Sequence, residues 1–266
     1  CSGILTARGV HADVQRLLEC RDILKAGTGI FSNFRGVSKL ATIAMLSLRT
    51  DSEIMMEQML ELYGKLKEYF WGSEYLTVAA ATIAEMAEPS EYEEIIDKTG
   101  RIYSRMKNAH PFLTSGEDSA FAALLAMSGL DDFCIEREME QCYTLLKPYF
   151  YSGNSVQSLS HILALGEASA EQKCRTALDI FNALKSCGLK YGTGYELATL
   201  GVLTLLDVDK NILVQDITDA ESFLKSQKGF GAFGVGSKQR LMYAGMMASC
   251  DHVPDLHSMQ TAALNG

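Results

Sequence analysis

A leucine or methionine followed by lysine recurs in this chain at Leu24-Lys25, Leu66-Lys67, Met106-Lys107, Leu146-Lys147, Leu184-Lys185 and Leu224-Lys225. The lysines lie 42, 40, 40, 38 and 40 residues apart. A period of that length restricts the chain to architectures in which one supersecondary unit is copied and stacked on its neighbours. A second landmark, ATIAML at 41–46, returns as ATIAEM at 81–86, and FAALLAM, LSHILAL, LATLGVL and LMYAGMM continue the series. Each unit therefore holds a small-residue apolar segment, A, and a more charged segment, B, that ends in the Leu-Lys pair.

Both segments read as helices. The B segments space apolar residues at three and four, as in Ile54, Met55, Met59, Leu62 and Leu66. Capping boxes are expected at Thr50 with Glu53, Ser90 with Glu93, and Ser169 with Gln172. The order is a B segment at 11–25, five A–B pairs, and a last A at 237–249. The expected fold is all-α: about six helical hairpins of roughly 40 residues in an α/α toroid or a tightly curved α-solenoid. Residues 1–266 form a single domain, with irregular ends at 1–10 and 251–266. A lysine that appears six times has no catalytic logic. At the end of a B helix it meets unpaired carbonyls and the negative end of the dipole, so its role is structural. The last A segment, LMYAGMMA at 241–248, has no charged residue and is expected to be covered on most sides.

Composition removes several function classes. Hydrophobic residues make up 47% of the chain and the mean hydropathy is +0.03, which places it among globular proteins. A net charge of −9 disfavours nucleic acid or an anionic lipid surface as a partner. The longest apolar runs, such as LATLGVLTLL, fall well short of the roughly 20 residues of a spanning helix, so no membrane insertion is expected. Seven scattered cysteines without a CxxC pair suit reduced thiols, and a cytoplasmic location is expected. The opening Cys1-Ser2-Gly3 fits a fragment, or a processed lipoprotein start.

Equivalent helix starts in a curved array meet at one rim. The first turns of the A segments carry Glu74, Tyr75, Glu117, Asp118, Asn154, Gln157, Tyr195, Glu196, Lys238 and Arg240, with His161 deeper on its helix. Glu74, Tyr75, Asp118, Gln157, His161, Tyr195, Glu196 and Arg240 are the candidate ligand-binding set. Aromatic rings beside carboxylates and amides can hold a polar ligand by stacking and directed hydrogen bonds. Each of these residues could instead only cap or solvate its own helix, and His161 could be a satisfied core histidine.

Other motifs have plainer readings. GFGAFGVG at 229–236 contains a GxGxxG, but a dinucleotide fingerprint needs a strand before it, and here a helix precedes it. It reads as a glycine-rich linker, and no cofactor is expected. Cys250, Asp251, His252 and His257 match no zinc spacing, so no metal is expected. His110, before Pro111, reads as a helix C-terminal cap.

The stretches MKNAHPFLTSGEDS at 106–119, NSVQSLSHILAL at 154–165 and RLMYAGMM at 240–247 resemble a bacterial family known as domain of unknown function 4003. The resemblance extends over nearly all of the chain and implies no particular activity or site residue. The expected function is a binding or scaffold protein that holds a peptide or small polar ligand at a rim or central cavity. The alternative is an α/α-toroid hydrolase or lyase that acts on a sugar-like substrate with mouth carboxylates. The oligomeric state is left open by the sequence.

Overall fold

The computed structural model describes residues 4–5, 9–231 and 234–252. Among them are twelve α-helices and no strand. They are α1 (Val14–Gly27), α2 (Lys39–Ser47), α3 (Ser52–Leu66), α4 (Glu74–Met86), α5 (Tyr92–Ala109), α6 (Ser119–Ala126), α7 (Asp132–Leu146), α8 (Gly153–Leu163), α9 (Ala170–Ser186), α10 (Glu196–Thr204), α11 (Lys210–Ser226) and α12 (Ser237–His252). Odd-numbered helices are the B segments and even-numbered ones the A segments. The last helix runs through Asp251 and His252, which the sequence placed in an irregular end. His257 lies outside the described residues.

Two compact units make up the chain, an N-terminal one ending at Phe133 and a C-terminal one beginning at Cys134. In the N-terminal unit B helices pack on B helices, α1 on α3 and α3 on α5, while α4 packs on α6 and each A helix lies against the B helix beside it. The C-terminal unit repeats the scheme, with α9 on α11 and with α8, α10 and α12 side by side.

The two helix types differ in burial because they differ in composition. On α3 the covered seam is Ser52, Met55, Met56, Met59, Leu62 and Leu66, a spacing of three and four that faces one side. Ile54, counted on that seam from the sequence, is more than half exposed. Its position, one residue before the seam, turns it to the solvent side. The A helices are covered nearly all round: every residue of α6 and of α10 is buried, as are Leu76 to Ala84 of α4. Alanine, glycine and serine make that possible, since small side chains let neighbouring backbones approach. At Gly201 an added Cβ would meet Ile162 at 2.8 Å. No residue of α12 from Leu241 to Cys250 is exposed, as the absence of charge at 241–248 predicts.

The helix starts partly depart from expectation. Ser169 and Gln172 form the expected box, each backbone N–H donating to the other's side chain at 3.3 Å. Thr50 and Glu53 do not, because α3 begins after Asp51. Ser90 and Glu93 do not either: Pro89 opens a 3₁₀ turn at Pro89–Glu91, and the Glu88 N–H donates to Glu91 Oε2 at 2.9 Å. A box without a sequence expectation joins Ser115 and Asp118.

The Leu-Lys pairs behave as two separate parts. Leu24, Leu66, Met106, Leu146, Leu184 and Leu224 are all buried. Two of the lysines fasten the helix end to the loop after it. Lys107 donates to the carbonyls of Pro111 at 2.8 Å and Thr114 at 2.7 Å, and Lys147 to that of Tyr151 at 3.2 Å. Lys67 instead lies over the Tyr63 ring, 5.9 Å from its centroid. The carbonyls served belong to the next loop rather than to the helix's own last turn. Lys147→Gln is expected to cost at most about 1 kcal/mol, since it removes one exposed hydrogen bond. A urea titration at constant slope measures it.

The glycine-rich stretch joins α11 to α12 with no strand before it among the described residues. Gly229 has φ +92°, a conformation that favours glycine, and its carbonyl accepts from the Val235 N–H at 2.9 Å.

Candidate functional site

In the N-terminal unit the starts of consecutive A helices are linked to one another. Glu74, first residue of α4, extends its carboxylate back over Gly36 and accepts from the Val37 N–H, just before α2. Its neighbour Tyr75 donates forward from its hydroxyl to Glu117 Oε1 at 3.3 Å, just before α6. Thr77 adds a second link back, through a 2.8 Å bond from its hydroxyl to Ser38 Oγ. Glu74, Tyr75, Glu117 and Asp118 thus occupy one end of this unit. Both rim carboxylates that bond to a neighbour serve a group 37 to 42 residues away, one period along the chain.

Asp118 is the unusual member. It is 3% exposed and accepts from the Ser115 N–H at 2.8 Å, closing the box that opens the turn before α6. Burial pushes its carboxyl up to about 6, and the Glu117 charge adds to the effect. The Ser115 N–H works in the opposite direction and does not offset them. Burial also raises Tyr75, and the charges of Glu117 and Glu74 add to the effect.

The raised Asp118 carboxyl makes stability depend on pH. Between the ordinary value of 3.8 and about 6 the folded state holds the proton that the unfolded chain has released. The protonated group's contribution is complete below 3.8 and is lost as pH rises through about 6. Two pKa units correspond to about 3 kcal/mol. Asp118→Asn keeps an acceptor for Ser115 and removes the buried charge. It is expected to raise stability at pH 7 by up to about 3 kcal/mol and to flatten the acid limb. Urea midpoints of both proteins between pH 4 and 7 measure the difference.

In the C-terminal unit the candidates take different roles. Gln157 and His161, 1% and 2% exposed, face the interior from α8, which packs on α10. Tyr195 is about half exposed just before α10. Glu196 is buried, and its Oε2 accepts from the Gly194 N–H at 3.0 Å. The carboxylate occupies the space beside Gly192, where an added Cβ would meet it at 2.1 Å. Glycine at 192 is what lets Glu196 fold back on its own loop. Arg240 is committed to the fold: Nε and Nη2 donate to Glu221 Oε1 at 2.8 and 2.6 Å, and Nη1 to the Phe230 carbonyl at 2.8 Å. Lys238, beside it in sequence, is exposed.

The remaining titratable motifs have local partners. His110 ends α5, and its carbonyl accepts from the Thr114 N–H at 2.9 Å. His252 Nε2 is 2.7 Å from Asp216 Oδ2, and no group of three metal-capable side chains occurs among the described residues. No described helix is long and apolar enough to cross a membrane.

One surface feature has a sequence signal that the Leu-Lys period overshadows. Phe31, Trp71, Phe112, Tyr151, Tyr191 and Phe230 succeed one another at 40, 41, 39, 40 and 39 residues, each in the loop from a B helix to an A helix. Phe31, Trp71, Phe112 and Tyr151 are each at least 94% exposed, whereas Tyr191 is buried with its hydroxyl 2.6 Å from Thr199 Oγ1. The spacing could have revealed the row; its exposure could not be read without coordinates.

Comparison with known proteins agrees with the sequence resemblance. The chain is 24% identical over 225 residues to the uncharacterized protein YeaA of Bacillus subtilis (strain 168), a match covering 81% of this chain and 68% of that protein. No solved structure matches. The model of one family, described as "Protein of unknown function (DUF4003)", matches residues 1–264, and the chain belongs to that family.

Proposed function

We propose that this chain is a helical-repeat binding protein, its hairpins forming one tightly curved α-solenoid or α/α toroid, that holds a peptide or small polar ligand where the A helices begin. The observation that supports this reading most is Asp118, a carboxyl kept buried and raised to about 6 at a helix start beside Glu117, Tyr75 and Glu74. Carboxyls shifted by burial cluster at binding and catalytic sites. Helix N-termini add positive potential there, and Tyr75 offers a ring for stacking. The free thiols suit a reducing compartment such as the cytoplasm.

Screening a library of peptides, sugars and polar metabolites by calorimetry, with wild type beside Asp118→Asn and Tyr75→Phe, tests it. The expected result is at least one ligand whose affinity falls in both variants while helical content is kept. Unchanged affinity in both variants would remove the site from the reading.

The same carboxyl favours a second reading, a hydrolase or lyase of the α/α-toroid type on a sugar-like substrate. A group near pH 6 suits a general acid, with Glu117 or Glu74 as the second carboxylate. Turnover of an aryl glycoside panel, abolished by Asp118→Asn, would select it over binding alone.

A further inference from the structure

We infer that the apolar loop row of the N-terminal unit is a face that pairs two copies of this chain. The row is made by Ile30, Phe31, Val37, Trp71 and Phe112, which are 74, 94, 87, 95 and 99% exposed. Their three loops run side by side. An added Cβ on Gly72 would lie 3.6 Å from Asn33 Nδ2, and one on Gly116 would lie 3.7 Å from Ser73 Oγ. The loops are also rigid at their bases. Phe34 is buried edge-on against Tyr63, with ring centroids 5.3 Å apart, and Asn33 donates to the Tyr63 hydroxyl at 2.7 Å. Arg35 clamps the first loop by donating to the carbonyls of Lys25 and Thr28, both at 2.6 Å. Exposed aromatic side chains on loops held this firmly are presented outward by the fold, and covering them costs little ordering entropy.

Size and charge name the occupant. Three aromatic side chains at roughly 150–250 Å² each, with Ile30 and Val37, bring the face near the roughly 800 Å² per partner of a standard interface. A contiguous apolar patch of that extent is uncommon on a protein that stays monomeric. The loops and the helix starts beside them carry Arg35, Lys39 and Lys67 against Glu68, Glu74 and Glu117, so the face is near electrical balance although the chain carries −9. A strongly charged partner finds no complement there. A second copy does, because a two-fold axis sets the interspersed lysines of one face against the glutamates of the other.

Trp71 is the sole tryptophan of the chain, so its emission reports this face directly. The test is sedimentation equilibrium on the full chain from micromolar to several hundred micromolar, with Trp71 emission and acrylamide quenching on the same samples. The expected result is a species of twice 29.2 kDa at the upper end, with emission shifting to the blue and quenching falling as it forms. The doubly substituted Phe31→Glu, Phe112→Glu protein, altered only at side chains in water, is expected to weaken pairing at least about tenfold. A single 29.2 kDa species with constant emission throughout would overturn the proposal. A dimer that survives both substitutions would overturn it as well. So would a blue shift produced only by phosphatidylcholine vesicles, which would make the row a lipid-facing surface.

Discussion

Glu221→Ala is expected to lower stability by about 3–5 kcal/mol, the cost of leaving a buried guanidinium without its carboxylate. Glu221 and Arg240 are each 7% exposed, and both guanidinium bonds fall on the same oxygen, Glu221 Oε1, at 2.6 and 2.8 Å. The third bond, from Nη1 to the Phe230 carbonyl, ties the pair to the loop between the two helices. Removing the acid therefore loosens α11, α12 and their connection together. Glu221→Gln, which keeps an oxygen acceptor, should cost less. A double replacement of both residues by methionine should recover much of the loss, because the desolvation cost disappears with the charges. Urea midpoints of the three variants measure the series. If Glu221→Ala were as stable as wild type, Arg240 would be free to serve a ligand, contrary to its geometry here.

Leu146→Ala is expected to cost about 2–5 kcal/mol, against at most about 1 kcal/mol for the adjoining Lys147→Gln. Leu146 is fully buried in a cluster with Phe150, Val156 and Leu184. Truncation loses the transfer free energy of the removed carbons and leaves a cavity that the neighbouring helices cannot fill without moving. The contrast between two consecutive residues is the useful quantity, since both variants share one background. Equal costs would mean that the lysine carries packing as well as its bond to the Tyr151 carbonyl.

The range of the interactions involved decides how far the sequence alone could be read. The positions of Leu24, Leu66, Met106, Leu146, Leu184 and Leu224 were legible because burial on one helix face imposes a spacing of three and four on nearby residues. The A helices were legible because a helix covered on nearly all sides is built mostly of uncharged residues, many of them small. Ile54 was misplaced because one position on a helix turns a side chain by about 100°. The cap at Ser90 was misplaced because Pro89 imposes a 3₁₀ turn that a spacing rule does not include. The candidate site was legible only as a set of helix starts. Which carboxylates face solvent depends on partners such as Val37, Gly194 and Arg240, and local pattern does not name them. Glu196 and Arg240 were read as rim residues and are bonded inside the fold. The Tyr75–Glu117 bond joins residues 42 apart, and only coordinates disclose it.

We propose that the starts of the A helices are a binding surface. Amide chemical shifts of the nitrogen-15-labelled chain, recorded as the peptide and polar-metabolite library is added, test it most directly. A binding compound is expected to move the amides of Val37, Glu74, Tyr75, Glu117 and Asp118 first and furthest, and Asp118→Asn to abolish those shifts. Shifts confined to the outward faces of α3, α5 and α9, with the A-helix starts unmoved, would contradict it.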